Sequence, residues 1–281
     1  MNANPTSRPP RPYPLTVLLF SIGYVSFCLC KGVFVLVAAP MLLVLTPFPG
    51  VRYQFLQVTL RGFLTVFTRG WLPALGLYRI VEVSGLERAL ALGPAVLAAN
   101  HRGFMDSLLL LSLVPRLGVV IKARDTRQLT YAVLVRTFDL VSINAGRLSS
   151  VAAALTACQR ILSAGRRLLI YPEGTRAPSS RLQCFHPLAF ELACRAGVPV
   201  VPVLIHSTVP FMAKAPGSVF PRQRNEYRIR FLDAETPQPE DTAESLCDRV
   251  HRRLARELKT LDAGTVWESA NRSLNENPAA L

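Results

Sequence analysis

From residue 79 onward, short apolar runs that are typical of buried strands alternate with segments that have helical periodicity. Such alternation favours an α/β domain, in which a central sheet is covered by helices on both faces. The clearest helix spans 242–261, because its leucines and valine form one stripe while arginine and glutamate occupy the other faces. The sequence predicts strands at 79–83, 94–99, 117–121, 168–171, 198–205 and 227–231, and helices at 107–114, 149–164 and 242–261.

The segment between residues 13 and 49 is almost wholly apolar, and its only charge is Lys31. Each of its two blocks, 15–30 and 32–48, is slightly shorter than the roughly 20 residues that a straight membrane-spanning helix needs. Three arrangements fit this pattern: one long tilted helix, a shallow helical hairpin with Lys31 near its turn, and a cleaved signal peptide. The signal peptide is disfavoured because no small-residue cleavage site follows the first block.

Residues 52–78 continue with apolar side chains at helical spacing, interrupted by arginines. This period fits a helix lying on a bilayer surface and equally a helix that faces a protein core. We therefore predict four regions in the chain. They are a disordered basic lead (1–12), a membrane-associated helical segment (13–78), a catalytic domain (79–262) and a polar tail (263–281).

The formal net charge of +14 indicates an anionic partner: nucleic acid, an acidic membrane surface or phosphorylated substrates. The apolar N-terminal segment favours the membrane surface among these three. The arginines are spread along the chain without a nucleic-acid-binding pattern, so we expect no nucleic-acid partner. The six cysteines include no Cys-x-x-Cys pair and no histidines cluster at zinc spacing, which predicts reduced thiols and no metal site. Because no nucleotide-binding glycine motif occurs, we expect no tightly bound cofactor.

A histidine and a carboxylate are paired in the first polar motif, Asn-His-Arg-Gly-Phe-Met-Asp, which directly follows a predicted buried strand. Gly103 allows a sharp turn that can bring the carboxylate of Asp106 back onto the imidazole of His101. A carboxylate bonded to one ring nitrogen fixes the tautomer and makes the other nitrogen a base. That base can accept the proton of an alcohol as the alcohol attacks a thioester. The alternative is structural, with Asp106 as a helix N-cap.

The second polar motif, Tyr-Pro-Glu-Gly-Thr-Arg, also follows a predicted strand directly. Gly174 can adopt positive φ, and the backbone amides near Gly174 and Thr175 can face an anion. Arg176 offers two parallel donors to a phosphate, and Glu173 can orient Arg176 or a substrate hydroxyl. Because loops at the carboxyl ends of strands carry the chemistry of α/β proteins, we expect the two motifs to form one site.

Together the motifs resemble those of the glycerolipid acyltransferases, the 1-acylglycerol-3-phosphate (lysophosphatidic acid) acyltransferase group. The first motif is similar to that family's first, the Glu-Gly-Thr-Arg motif to its third, and the Val-Pro-Val-Val-Pro-Val segment at 198–203 to its fourth. The resemblance covers residues 79–206. It implies that His101 is the general base, that Asp106 orients it, and that an acceptor phosphate is held elsewhere in the site. The residues implied in acceptor binding are Glu173, Gly174, Thr175, Arg176 and Lys122.

The chain departs from the family at the second motif, where an acidic or amide residue is usually followed directly by arginine. Asn144 matches the first position, but Ala145 occupies the arginine position. Arg147 lies two residues later and would substitute through a shifted loop. After the third motif, His186 and a proline stand where the family often has a basic residue. These differences leave the exact acceptor open.

The leading hypothesis is therefore an O-acyltransferase on the cytoplasmic face of the inner (plasma) membrane. It would move a fatty acyl chain from acyl-CoA or acyl carrier protein to a lysophospholipid, with 1-acyl-glycerol-3-phosphate as acceptor and phosphatidate as product. One alternative keeps the chemistry with a lyso-aminolipid or another specialised hydroxylated acceptor. The other is a non-catalytic lipid-binding homologue. Acyl chain length, the donor carrier and the oligomeric state do not follow from the sequence.

Overall fold

The computed structural model describes residues 13–123, 139–144, 146–177, 181–209 and 225–262. The predicted basic lead and polar tail lie outside the described residues. The strands are β1 (Tyr78–Ser84), β2 (Val96–Ala99), β3 (Leu117–Lys122), β4 (Leu140–Ile143), β5 (Arg167–Ile170), β6 (Val200–Ser207) and β7 (Asn225–Phe231). The helices are α1 (Tyr13–Val44), α2 (Pro49–Thr65), α3 (Leu72–Ala74), α4 (Leu86–Ala91), α5 (Met105–Leu113), α6 (Leu148–Ser163), α7 (Leu188–Ala196) and α8 (Ala243–Asp262), and a π-helical turn, Val66–Trp71, joins α2 to α3.

The described strands form one sheet in the order β1-β7-β6-β2-β5-β3-β4. Neighbouring strands are parallel except for the antiparallel pair β6 and β7. The carboxyl ends of β2 to β6 therefore lie at the same edge of the sheet. β2 lies at the centre and is buried along its whole length, which explains its continuous apolar sequence.

Helices cover both faces of the sheet, as the sequence predicted. On one face, α5, Phe67 of the π-helical turn and Leu72 of α3 pack against apolar side chains of β1, β2, β3, β6 and β7. On the other face, α6, α7 and α8 form a second buried cluster. The predicted α/β architecture is thus confirmed, and it places the loops after β2 and β5 between two complete apolar layers.

Three elements were not among the predicted strands and helices. β4 has only four residues, and α4 and α7 have six and nine. A six-residue helix spans less than two turns, so its apolar spacing gives no clear period. α5 also begins at Met105, two residues before the predicted start. This shift places Asp106 in the first turn of the helix rather than before it.

The N-terminal segment is one continuous helix through Lys31, and the chain reverses after Val44. Of the three arrangements considered, the hairpin with a turn near Lys31 does not agree with this helix, whereas one long helix through Lys31 does. α1 and α2 are antiparallel, since the ring of Phe34 packs against Phe63 while the ring of Phe27 packs against Phe67. Pro40 lies inside α1 without ending it.

Among the described residues, one helical stretch is long and apolar enough to cross a membrane, at Tyr13–Phe34. Only 6% of its most apolar window is buried within the protein. α2 differs, because its inner face contacts α5: Arg61 donates hydrogen bonds to the carbonyls of Ser112 and Leu113, at 3.3 Å each. The pair of helices α1 and α2 thus has one face on the α/β domain and presents many other apolar side chains to its surroundings.

Candidate active site

The two polar motifs lie side by side because they follow adjacent parallel strands, β2 and β5. Asn100, the residue after β2, fixes the first loop to the neighbouring strand β6. Its side-chain amide donates to the carbonyl of Ile205 at 2.9 Å, and its side-chain oxygen accepts from the Ile205 amide at 2.7 Å. This pair of bonds holds the start of the loop in register with β6.

The side chains of His101 and Asp106 are in direct contact. The Nδ1 atom of His101 lies 2.9 Å from Oδ2 of Asp106, and the aspartate side chain is fully buried. The same oxygen accepts the backbone amides of Arg102 at 2.7 Å and Gly103 at 2.8 Å. Because an ionised carboxylate only accepts hydrogen bonds, Nδ1 must carry a proton. The lone pair of the imidazole then resides on Nε2, where it can act as a base.

An aromatic ring fixes the face of this imidazole. The ring of Tyr171 stacks on that of His101, with centroids 4.1 Å apart and planes inclined by 20°. The tyrosine hydroxyl lies 3.0 Å from Oγ of Ser107, in the first part of α5. His101 is therefore restrained at one edge by a carboxylate and on one face by a ring, and both restraints connect to α5.

The carboxylate of Glu173 ties together three parts of the site. Oε1 accepts the backbone amide of His101 at 2.8 Å, and Oε2 accepts that of Gln183 at 3.1 Å. The residue is only 4% exposed, and this burial raises the pKa of the carboxyl group to about 7 despite the two donors. Both oxygens are thus engaged with the backbone. Because both oxygens accept backbone donors, Glu173 holds the turn in place and offers no donor to a phosphate.

Gly174 has the positive φ expected of it, at +62°. A Cβ atom at this position would lie 3.2 Å from Cδ2 of His186, so the turn needs glycine for its backbone and for the space beside it. Thr175 and Arg176 follow in a half-buried stretch of the loop. The amide of Ala177 then donates to the carbonyl of His101 at 2.7 Å. The Glu-Gly-Thr-Arg turn is therefore held against the histidine loop at both ends.

The two remaining predicted acceptor-binding residues lie at the same edge of the sheet, farther along it. Lys122 is the exposed last residue of β3. Arg147 is exposed and directly precedes α6, after a tight turn in which the side chain of Asn144 accepts the amide of Gly146 at 3.1 Å. Ala145, at the departure from the family's second motif, lies outside the described residues. The fold thus puts Lys122 at the end of β3 and Arg147 after the neighbouring strand β4, both beyond β5.

Sequence reasoning missed a buried cluster beneath the histidine loop. The guanidinium of Arg102 donates to both carboxylate oxygens of Asp262, at 3.2 Å each. Nε2 of His206 lies 3.1 Å from the same carboxylate, and burial lowers the pKa of this histidine. Arg102 is part of the first motif, but its partner is 160 positions away. No local pattern could have paired them.

No group of three or more histidine, cysteine, aspartate or glutamate side chains is placed to hold a metal ion in the part of the chain that the structure describes. The site chemistry visible here is therefore that of a histidine–carboxylate pair beside a glycine turn and several cations.

Residues 80–206 match the protein-family model described as Acyltransferase. Over these 127 of its 281 residues, the chain is similar to the acyltransferase family. Among curated acyltransferases, it is 25% identical over 252 residues to the chloroplast 1-acyl-sn-glycerol-3-phosphate acyltransferase BAT2 of Brassica napus, covering 88% of this chain and 70% of that protein. It is 32% identical over 132 residues to the human 1-acyl-sn-glycerol-3-phosphate acyltransferase beta, covering 46% of this chain and 48% of the human protein.

The fold is that of a solved acyltransferase, the 1-acyl-sn-glycerophosphate (LPA) acyltransferase PlsC of Thermotoga maritima. The two structures agree with a TM-score of 0.68 at 20% identity, over 88% of this chain and 96% of the other. The agreement includes more than the matched family segment. Against several curated relatives, however, the chain spans only about half of their length, for example 52% of the Chlamydomonas reinhardtii protein and 54% of the Caenorhabditis elegans protein.

Proposed function

We propose that this acyltransferase moves a fatty acyl chain from acyl-CoA or acyl carrier protein to the free hydroxyl of 1-acyl-glycerol-3-phosphate, giving phosphatidate. The observation that carries the proposal is the 2.9 Å contact between Nδ1 of His101 and Oδ2 of Asp106, which leaves Nε2 as a base. The names of the relatives, which specify this acceptor, support the same choice.

The reaction needs no nucleophile from the protein, because the acceptor hydroxyl attacks the thioester itself. As its oxygen bonds to the carbonyl carbon, its proton passes to Nε2 of His101. The carbon–sulfur bond then breaks, and the sulfur leaves with that proton as a free thiol. Proton transfer to a positioned base such as His101 is typically worth about 10²–10⁴-fold in rate. Asp106 keeps the imidazole oriented and stabilises its transient positive charge.

The acceptor phosphate is proposed to bind at the Glu-Gly-Thr-Arg turn. Arg176 would supply paired donors, and the amides near Gly174 and Thr175 would face the anion. Lys122 at the end of β3 and Arg147 after β4 would add positive charge along the same edge of the sheet. Glu173 would hold the turn in place through its bonds to His101 and Gln183.

Membrane association is proposed through the α1–α2 hairpin, at the cytoplasmic face of the inner membrane. The exposed apolar surface of α1 would enter the lipid, and the positive charge of the chain would favour anionic phospholipids. In this arrangement the lipid acceptor would reach the site without leaving the membrane.

The test is to incubate the purified protein with labelled acyl-CoA, and separately with labelled acyl carrier protein, and to analyse the lipid products. The acceptor panel is lysophosphatidate, a lyso-aminolipid and a phosphate-free lysolipid. We expect phosphatidate as the main product and loss of transfer in His101→Ala, with vesicle binding retained. Preference for the phosphate-free acceptor would refute phosphate anchoring by Arg176, and near-normal activity in His101→Ala would refute the proposed function.

Asp106→Asn has a matched control in Asp233→Asn, which removes an exposed carboxylate that pairs with Arg88 and Arg253. We expect the first substitution to lower kcat by about 10²-fold or more, because the orientation of the imidazole is lost. The second should leave kcat within about two-fold, since surface ion pairs contribute little.

A further inference from the structure

We propose that Asp262, the last residue of α8, is a positioning residue for acyl transfer and acts on the catalytic dyad through Arg102. The proposal rests on the proposed function, in which His101 is the base. Its starting point is a long-range contact: the C-terminal end of α8 reaches under the first motif and binds the residue next to His101.

The contact is an ion pair away from solvent. The side chain of Arg102 is 3% exposed and that of Asp262 is 11% exposed. Two guanidinium–carboxylate bonds of 3.2 Å join them, and a second guanidinium nitrogen donates to the carbonyl of Ser207 at 3.5 Å. The Asp262 carboxylate is also within hydrogen-bond distance of His206, whose Nε2 lies 3.1 Å from Oδ1. A guanidinium buried in this way is held in place, because moving it away from Asp262 would weaken the pairing of its charge.

The position of Arg102 is transmitted to the dyad by the backbone. The amide of Arg102 donates the shortest of the bonds to Oδ2 of Asp106, at 2.7 Å. The other oxygen of that carboxylate, Oδ1, is buried and has no hydrogen-bond partner among the described residues. Oδ2 alone therefore sets the orientation of Asp106. A shift of the Arg102 backbone would rotate this carboxylate away from Nδ1 of His101.

The cluster of Arg102, Asp262 and His206 is better explained by a role in positioning than by a contribution to stability. A buried ion pair gives little net stability compared with apolar side chains of the same volume. Nδ1 of His206 is also buried without a hydrogen-bond partner in the described part of the chain, which is a further energetic cost. What the cluster does provide is a fixed position for the backbone amide of Arg102. This amide lies 2.7 Å from Oδ2 of Asp106, the carboxylate that orients the base.

The test is Asp262→Asn, which keeps the shape of the side chain and removes its charge. The matched control is Asp241→Asn, since Asp241 precedes the same helix and pairs with Arg249 at 2.7 Å, far along α8 from the dyad. We expect Asp262→Asn to lower kcat about 10–100-fold, because small displacements of a catalytic group are costly, with KM for donor and acceptor within about two-fold. Asp241→Asn should lower the denaturation midpoint and leave kcat unchanged.

A second variant keeps the test decisive if Asp262→Asn unfolds. The double substitution Arg102→Met and Asp262→Leu removes both charges and fills the space with apolar groups, which buried pairs often tolerate. We expect this variant to fold, by circular dichroism and denaturation, and to show the same loss of kcat. A folded Asp262→Asn or double variant with wild-type kcat would overturn the positioning role. Absence of acyl transfer by the wild-type protein would instead overturn the proposed function.

Discussion

The ring of Tyr171 stacks on the ring of His101 with the ring centroids 4.1 Å apart, so the first residue of the Tyr-Pro-Glu-Gly-Thr-Arg motif restrains the proposed base. We expect Tyr171→Leu to lower kcat about 10-fold, because the imidazole regains rotational freedom. Tyr171→Phe keeps the ring and loses only the contact with Ser107, so its kcat should stay within about three-fold. Steady-state kinetics of both variants would measure this difference, and equal losses would show that the hydroxyl matters and the stack does not.

Glu173 should make the protein less stable as pH rises. Its pKa is about 7 in the folded state and 4.5 in the unfolded chain, so the folded state binds more protons between these values. The contribution of Glu173 to the free energy of unfolding is therefore greatest below pH 4.5. It falls by on the order of 3 kcal/mol as the pH rises through 7.

Denaturant titrations at a series of pH values would measure this effect as a difference between proteins. Glu173→Gln should flatten the fall between pH 4.5 and 7 relative to the wild type, because the amide does not titrate. The exposed Glu240→Gln should keep the wild-type slope. Identical pH profiles for the wild type and Glu173→Gln would contradict the prediction.

Gly174→Ala combines backbone strain with a close contact to His186. Gly93→Ala is its matched control, since Gly93 also has positive φ, at +74°, but has open space beside it. We expect both substitutions to cost about 1–2 kcal/mol of stability for the left-handed backbone. Gly174→Ala alone should also lower the rate of acyl transfer, because His186 and the turn must move apart. The comparison is thermal denaturation together with kcat, and equal activity in the two variants would argue against a constrained turn.

Membrane binding should depend on the exposed side of α1. Leu36 is 75% exposed on this helix, and Leu36→Asp should weaken binding to vesicles that contain anionic phospholipid, measured by flotation. Leu92→Asp alters an exposed leucine after α4 and should leave flotation unchanged. Equal flotation of both variants would show that the hairpin does not carry the interaction.

The sequence predicted the layered architecture, because strand and helix periods are local properties. The adjacency of the two motifs was predicted because each directly follows a strand, and the pairing of His101 with Asp106 because a glycine turn spans only a few residues. The reversal after Val44 was not predicted, because the charge of Lys31 was a stronger signal than Pro47 and Pro49. The contact of Arg102 with Asp262 was beyond prediction, since it depends on how α8 packs across the sheet. The roles of the acceptor-binding residues stay predictions.

The pairing of β2 has a consequence for how the nascent chain matures. This central strand is synthesised early, but its two neighbours are β5 and β6, whose residues are added about 70 to 100 positions later. Until residue 170 has left the ribosome, both edges of β2 lack a partner, and one edge lacks it until β6 has emerged. The ion pair beneath the histidine loop forms later still, because Arg102 meets Asp262 only when residue 262 emerges. Premature termination before that point would yield a polypeptide with every signature residue of the two polar motifs and without this ion pair.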